Sequence, residues 1–195
     1  MKIALKSAGL LAAVTFAAPV LAQSTVKTVG PSKSVAVYAP ITVSEVEAAQ
    51  QAWGAALIAI ATEYDRNGQA AAKRLAESVI DRAYAYNMGP VLFKPTLTVV
   101  PKTFRTDREG ALAYFVGGNP AYPDTGFALK GWRGYKTTNA GIVTTGNSAI
   151  SMGNVTFTNA KGETTVVDKT WGFVRDGEGK LRIVLHHSSL PYQPN

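Results

Sequence analysis

Residues 163–189 read ETTVVDKTWGFVRDGEGKLRIVLHHSS, and this stretch predicts part of a β-sheet. It holds two runs rich in β-branched and aromatic residues, which the turn signal at 176–179 separates. Similar runs precede it, with further turn signals at 145–147 and 159–162. The pattern predicts strands that hairpins join into an antiparallel sheet, beginning near residue 126.

The residues before this sheet predict helices. Thr42 and Glu45 form a capping box, and apolar residues then recur at helical spacing as far as Tyr64. The dipeptide at 67–68, Asn-Gly, is predicted to stop this helix. A second amphipathic helix is predicted from about residue 69 to residue 87, because its apolar residues also follow the helical period.

The segment between these helices and the sheet predicts two shorter elements. Residues 91–96 are predicted to be extended, and a short helix is predicted over 107–116. Thr106 and Glu109 are expected to open that helix as a second capping box. Helices followed by an antiparallel meander indicate one α+β domain, which we place at residues 41–195.

The N-terminus is typical of an exported protein. Residues 1–22 combine a basic start, an apolar run too short to span a membrane, and small residues at Val20 and Ala22. We expect a signal peptide that is cleaved after Ala22 and no membrane association afterwards, with a retained anchor as the alternative. Residues 23–40 are polar and are predicted to be a flexible lead-in. The absence of cysteine favours a periplasmic location.

The composition excludes several classes of site. With no cysteine, the chain has no thiolate nucleophile, no iron–sulfur cluster and no Cys-type zinc site. It has two histidines, which are adjacent, so a site with three imidazole ligands is not expected. The formal net charge is +7, but the Lys and Arg residues are scattered and no nucleic-acid-binding module occurs. The charge therefore predicts solubility and no nucleic-acid partner.

The C-terminal strand holds the candidate site. Side chains alternate across a strand, so His187 and Ser189 are predicted to share an inner face with Ile183 and Leu185. This face begins apolar and ends polar, as the wall of a ligand pocket does. His186 is predicted on the opposite face, so the two histidines would not bind one metal together. A zinc site built from one histidine and carboxylates stays open, whereas no P-loop or dinucleotide motif occurs.

The opposite face of the same strand predicts an assembly. An antiparallel sheet whose second face carries apolar residues usually covers that face. We therefore expect a homodimer through the outer sheet face. Arg182, Val184 and His186 are predicted to lie near the contact.

Four strings carry a resemblance to a known family. They are VLFKPT at 91–96, ALAYFVGG at 111–118, GFAL at 126–129 and HHSSLP at 186–191. In these strings the chain resembles the iota-class carbonic anhydrases. These are related to the association domain of calcium/calmodulin-dependent kinase II and to the SnoaL-like, nuclear-transport-factor-like superfamily. Over about residues 43–192, the resemblance implies a cone-shaped, cystatin-like or SnoaL-like fold, in which a curved antiparallel sheet wraps round a long N-terminal helix.

The resemblance also implies an activity, the reversible hydration of carbon dioxide to bicarbonate. It implies that Thr96, Tyr114 and Ser189 hold bicarbonate or carbon dioxide and the reacting water, with His187 beside them. Thr96 and Tyr114 rest on the resemblance alone. For His187, the expected role is that of a neutral imidazole that takes the proton of the reacting water.

The resemblance leaves the metal open, because some members are described as metal-free and others as zinc- or manganese-dependent. The missing cysteines and the divided histidine pair favour a metal-free enzyme. Two other functions stay open, since a fold does not fix a function. One is a non-enzymatic periplasmic module for small-ligand binding or oligomerisation, and the other is an isomerase or cyclase on the same fold.

Overall fold

The computed structural model describes residues 39–194. The predicted signal peptide at 1–22 and almost all of the predicted lead-in at 23–40 lie outside the described residues. None of the helices within 39–194 combines the length and the apolar character needed to cross a membrane. The elements in chain order are α1 (Val43–Ala83), β1 (Leu92–Lys94), α2 (Arg108–Val116), a 3₁₀ helix (Phe127–Leu129), β2 (Trp132–Thr145), β3 (Ser148–Asn159), β4 (Thr164–Arg175) and β5 (Leu181–Ser189).

Helix α1 combines the two helices that the residue pattern predicts, and it is the long N-terminal helix that the resemblance implies. The Thr42 hydroxyl accepts a hydrogen bond from the N–H of Glu45, whose carboxylate accepts one from the N–H of Thr42, so the capping box is confirmed. The predicted stop at Gly68 is a kink, because this glycine takes a left-handed φ of 75° and the helix then continues. The second half ends at Ala83, earlier than predicted, where Tyr84 turns into extended backbone.

Helix α2 is buried along most of its length. Its N-cap is Asp107, whose side chain accepts a hydrogen bond from the N–H of Gly110 at 2.7 Å. The predicted capping box of Thr106 and Glu109 was therefore wrong, because Asp107, one residue after Thr106, caps the helix instead. Every residue from Gly110 to the end of α2 is buried, so this helix brings its side chains into the core.

Strands β2–β5 form the predicted antiparallel meander, with hairpins at the three predicted turns. Strand β1 pairs with β5 in parallel, so the sheet is mixed and its strand order is β1-β5-β4-β3-β2. A hairpin does not join β1 to β5, so their direction is set by the packing of the segments between them. This pairing brings residues 91–96 beside the last residues of β5.

The core lies between α1 and one face of the sheet. Trp53 of α1 contacts Trp171 and Phe157 of the sheet, with ring centroids 5.8 Å and 6.3 Å away. Leu57 and Ile60 follow on the same helical face, and each is 2% exposed. A long helix packed on a bulged, curved sheet confirms the predicted α+β class, because register shifts bend the strands around the helix.

Strand β5 contains a β-bulge that decides what its last residues face. Phe173 pairs with Ile183, while the preceding Gly172 pairs with Leu185. Val184 therefore has no partner of its own in β4. One extra residue reverses the alternation of side chains, so the residues after the bulge face opposite to the strict period-two prediction.

Candidate active site

The bulge exchanges the faces of the last four residues of β5. His186 and Ser188 are each 1% exposed and lie in the interior. His187 is exposed, and Ser189 is half-buried. The prediction that His187 and Ser189 share the inner face was therefore wrong, and so was the prediction that His186 lies at an outer contact surface.

Arg182 is also buried, contrary to the prediction that it lies near a dimer contact. Its Nε donates to the Asp176 carboxylate at 2.6 Å, and its Nη1 donates to the carbonyl oxygens of Asp81 and Arg82. Burial alone would raise the pKa of Asp176, but hydrogen bonds from Arg182 and two backbone N–H groups lower it below its usual value. Through these hydrogen bonds, Arg182 connects the end of α1 to the start of β5. Val184, the third residue of that prediction, is half-buried.

Three hydroxyl groups meet beside the end of β5, and we call them the hydroxyl cluster. Thr96 follows β1, and its Oγ1 lies 2.5 Å from Oγ of Ser188. Tyr114 reaches towards Thr96 from α2; burial raises the pKa of its phenol, and hydrogen bonding at Leu97 and Thr96 partly opposes that rise. The phenol stays protonated and can donate a hydrogen bond. The cluster thus contains Thr96 and Tyr114, which the sequence named, with Ser188 in place of Ser189.

The imidazole of His186 is held among aromatic rings. It stacks on Phe93, with ring centroids 4.4 Å apart, and meets Trp53 edge-on at 5.3 Å. Its Nδ1 lies 2.8 Å from the hydroxyl oxygen of Tyr84, which also accepts a hydrogen bond from the Trp53 indole N–H at 2.9 Å. These contacts leave the ring in one orientation, away from solvent.

Lys169 lies buried next to this imidazole. It is 3% exposed, and its Nζ is 2.6 Å from His186 Nε2 and 4.5 Å from the centroid of the Trp53 ring. Within residues 39–194, no salt bridge joins Lys169 to a carboxylate. Burial lowers the pKa of Lys169 well below its usual value. Burial, together with the charges of Lys169 and His187, lowers the pKa of His186 in the same way. Lys169 and His186 therefore do not both carry a charge.

The hydroxyl cluster and the pair of Lys169 and His186 are parts of one site. Lys169 of β4 lies directly opposite Ser188 of β5, so both side chains project from the same face of the sheet in neighbouring positions. The hydroxyls can donate hydrogen bonds to the oxygens of a small anion. The pair of nitrogen bases can hold one proton. The surrounding aromatic rings suit an apolar substrate.

Sequence reasoning missed Lys169, Tyr84 and Trp53 as members of the site. For Lys169 a signal existed, because it shares the period-two face of β4 with Val167 and Trp171, both apolar. A lysine inside such an apolar series points to a buried amine. Tyr84 had no comparable signal, since it lies just beyond a helix end whose position depends on tertiary packing.

A metal centre does not fit this arrangement. Within residues 39–194, no three or more His, Cys, Asp or Glu side chains come close enough together to hold a metal ion. Both ring nitrogens of His186 are engaged, one by Tyr84 and the other by Lys169. The zinc site built from one histidine and carboxylates, which the sequence left open, therefore has no counterpart among these residues.

Comparison with family models matches residues 44–190 to the metal-independent carbonic anhydrases. The chain belongs to this family. It is a carbonic anhydrase, a lyase that interconverts carbon dioxide and bicarbonate without a metal cofactor. A metal-independent carbonic anhydrase of Nostoc sp. (strain PCC 7120) is 62% identical over 154 residues, which are 78% of this chain and 75% of that protein.

Solved structures agree with this assignment. The iota-carbonic anhydrase from a cyanobacterium, in complex with bicarbonate, is 60% identical, with a TM-score of 0.80, and the match covers 83% of this chain and 99% of that one. A calcium/calmodulin-dependent protein kinase II association domain from Xanthomonas campestris shares the fold at 22% identity, with a TM-score of 0.51 and coverage of 83% and 100%. The predicted family, cone-shaped fold, activity and metal independence of this carbonic anhydrase are thereby confirmed.

Proposed function

We propose that this carbonic anhydrase hydrates carbon dioxide at the hydroxyl cluster of Thr96, Tyr114 and Ser188. One observation carries the proposal: three hydroxyls from three separate elements converge beside a buried pair of nitrogen bases. Bicarbonate in the related cyanobacterial structure supports a site for the same anion here. We propose His186, in place of His187, as the imidazole of this site, because its Nε2 lies 2.6 Å from Nζ of Lys169.

The chemistry matches the lining of the site. Carbon dioxide is neutral and apolar, so the aromatic side chains around His186 and Lys169 suit it better than water does. As the water oxygen bonds to carbon, negative charge develops on the carboxyl oxygens, and the Thr96, Tyr114 and Ser188 hydroxyls can donate to them. Such donors act most strongly where water is excluded.

The reaction also needs an acceptor for the proton of the water. A zinc enzyme avoids this need by lowering the pKa of bound water to about 7. In a metal-free site, a positioned base takes the proton as the carbon–oxygen bond forms. The buried pair of His186 and Lys169 supplies the bases, and hydration is expected to be slower than in a zinc enzyme.

Stopped-flow measurement of carbon dioxide hydration tests this site. Chelator-treated protein is expected to keep its full rate, and added zinc or manganese is expected to leave it unchanged. Thr96→Val and Tyr114→Phe should each lower the rate by about 100-fold, because each removes one donor. Tyr192→Phe is the matched control, since Tyr192 is 87% exposed.

Two outcomes would contradict the proposal. Loss of activity on chelation, with recovery on adding zinc, would mean that the hydration reaction depends on a bound metal. Full activity in both Thr96→Val and Tyr114→Phe would place the reaction elsewhere in the chain.

We also propose that the enzyme is exported to the periplasm. The basic start, apolar run and small residues of the first 22 residues support this. Intact-mass measurement of the protein from a periplasmic fraction should then give a chain that begins at Gln23. A mass that includes residues 1–22 would contradict it.

A homodimer through the outer sheet face is the third part of the proposal. Ile150, Met152 and Val166 are 55%, 60% and 41% exposed on that face. Met152 pairs with Thr170, which pairs with His187, so the exposed histidine lies in the same row. A second copy of the chain would cover these apolar side chains. The contact is proposed around Met152 and His187, in place of Arg182 and His186.

A further inference from the structure

We propose that the Lys169 amine is the proton acceptor of the hydration step and that His186 positions it. The inference rests on the proposed site at Thr96, Tyr114 and Ser188. It starts from a buried lysine that, within residues 39–194, has no carboxylate partner. Burying an amine in this way is costly, so a functional reason is expected.

The other buried cations of the domain show the contrast. Arg105 is 0% exposed and is paired with Asp124 at 2.7 Å, and Arg182 is paired with Asp176 at 2.6 Å. Each of these guanidinium groups keeps its charge beside a carboxylate. Lys169 instead contacts an imidazole nitrogen and the faces of two tryptophan rings. These are surroundings in which an amine can be neutral and can still accept a proton.

The ring nitrogens of His186 are both occupied, which argues for the lysine as acceptor. Nδ1 is engaged by Tyr84 and Nε2 by Lys169, so a water at the hydroxyl cluster has no free imidazole nitrogen to reach. The amine lies across the β4–β5 ladder from Ser188, next to that cluster. When Lys169 donates one N–H to Nε2, its lone pair is left for the water.

The step balances without any further reactant. The water oxygen forms a bond to the carbon of carbon dioxide, and one C=O π pair moves onto an oxygen, so that bicarbonate forms. The O–H bond of the water breaks, and its proton goes to Nζ of Lys169. The proton later passes to solvent through the side of the site where Thr96 is only half-buried, which restores the amine.

Charge explains why this acceptor suits the reaction. Before the step, the amine, the imidazole, the water and the carbon dioxide are all neutral. After it, an ammonium of Lys169 lies beside the bicarbonate anion, and the two charges stabilise each other in a site of low dielectric. The faces of Trp53 and Trp171, with centroids 4.5 Å and 5.7 Å from Nζ, also favour the cation without a competing carboxylate.

The test compares three variants by stopped-flow hydration. Lys169→Met removes the base and should lower kcat by at least 100-fold. Lys169→Arg keeps a cation that cannot give up its proton, so it should be equally inactive. Lys180→Met is the matched control, since the Lys180 side chain is 66% exposed, and it should keep its activity.

Two further measurements separate a proton acceptor from a structural lysine. Lys169→Met should melt at the same temperature as the parent or higher, because a buried amine is replaced by an apolar side chain of similar size. Lys169→Ala should recover activity when methylamine is added, with the rate rising with the amine concentration. A structural role would instead lower the melting temperature and would show no rescue.

The outcomes distinguish this inference from the proposed function. If Lys169→Met keeps the parent rate while Thr96→Val loses it, the lysine is not the acceptor although the site is correct. A Lys169→Arg variant with full activity would also overturn the inference. If the parent protein and all variants hydrate carbon dioxide no faster than buffer, the proposed function itself fails.

Discussion

Strand β5 ends in two pairs of identical residues that differ completely in environment. His186 and Ser188 are each 1% exposed and belong to the proposed active site, whereas His187 is exposed and Ser189 is half-buried. Residue type is the same in each pair, so the difference comes only from the face on which each side chain lies. The residue type suggests which side chains are candidates for the site. The backbone pairing sets which of these candidates face the interior.

We expect the largest change in hydration rate at the two histidines. His186→Ala should lower the hydration rate by about 1,000-fold, because Lys169 loses the group that orients it. It should also destabilise the fold, since Tyr84 loses a buried hydrogen-bond partner. His187→Ala should change the rate by less than about threefold, since its imidazole lies on the outer face of the sheet, away from the proposed active site.

Circular dichroism of both histidine variants would establish that each is folded. A silent His186→Ala together with an inactive His187→Ala would restore the strict alternation that the sequence predicted. The bulge at Val184 would then not describe the active enzyme.

The serines give the next effect in size. Ser188→Ala should lower the hydration rate by about 100-fold, because it removes a donor 2.5 Å from the Thr96 hydroxyl oxygen. Ser189→Ala should be close to the parent, since Ser189 pairs with Asp168 on the opposite face. Stopped-flow rates for the two variants, measured at one pH, decide the question. Equal losses in both variants would mean that the two faces are not separated as described.

The smallest effect on catalysis is expected on the outer face. Met152→Glu should convert the proposed dimer into a monomer, because it buries a charge in an apolar contact. Its hydration rate should stay within about twofold of the parent, since the proposed active site lies on the inner face. Light scattering at micromolar concentration measures the mass, with Lys161→Glu at a hairpin as the control. A parent protein that is already monomeric would contradict the dimer.

Much of the fold could be predicted because it depends on local signals. The capping box at Thr42, the turn residues and the β-rich runs after residue 126 act through neighbouring residues, and the structure has the start of α1 and the meander where they indicate. The kink at Gly68 had a local signal too, although a glycine can bend a helical segment as well as end it. The parallel pairing of β1 with β5 had none, because it joins residues about 90 positions apart.

The residues of the candidate site also fall into those that the sequence indicated and those that depend on tertiary structure. The resemblance indicated Thr96 and Tyr114, and alternation indicated that one histidine and one serine of β5 face inward. Which histidine and which serine depended on the unpaired Val184, since one extra residue exchanges the faces of all that follow. A bulge is set by how β4 and β5 fit together around α1, so the sequence of β5 does not reveal it.

The amino-acid sequence therefore shows the order of the elements, the absence of cysteine chemistry and the residue types available to the reaction. Those properties follow from local propensity and composition. Which side chains come into contact depends on the tertiary structure. It placed Ser188 next to Thr96 and buried Lys169 against His186, because strand pairing, a bulge and helix packing bring together residues far apart in the chain.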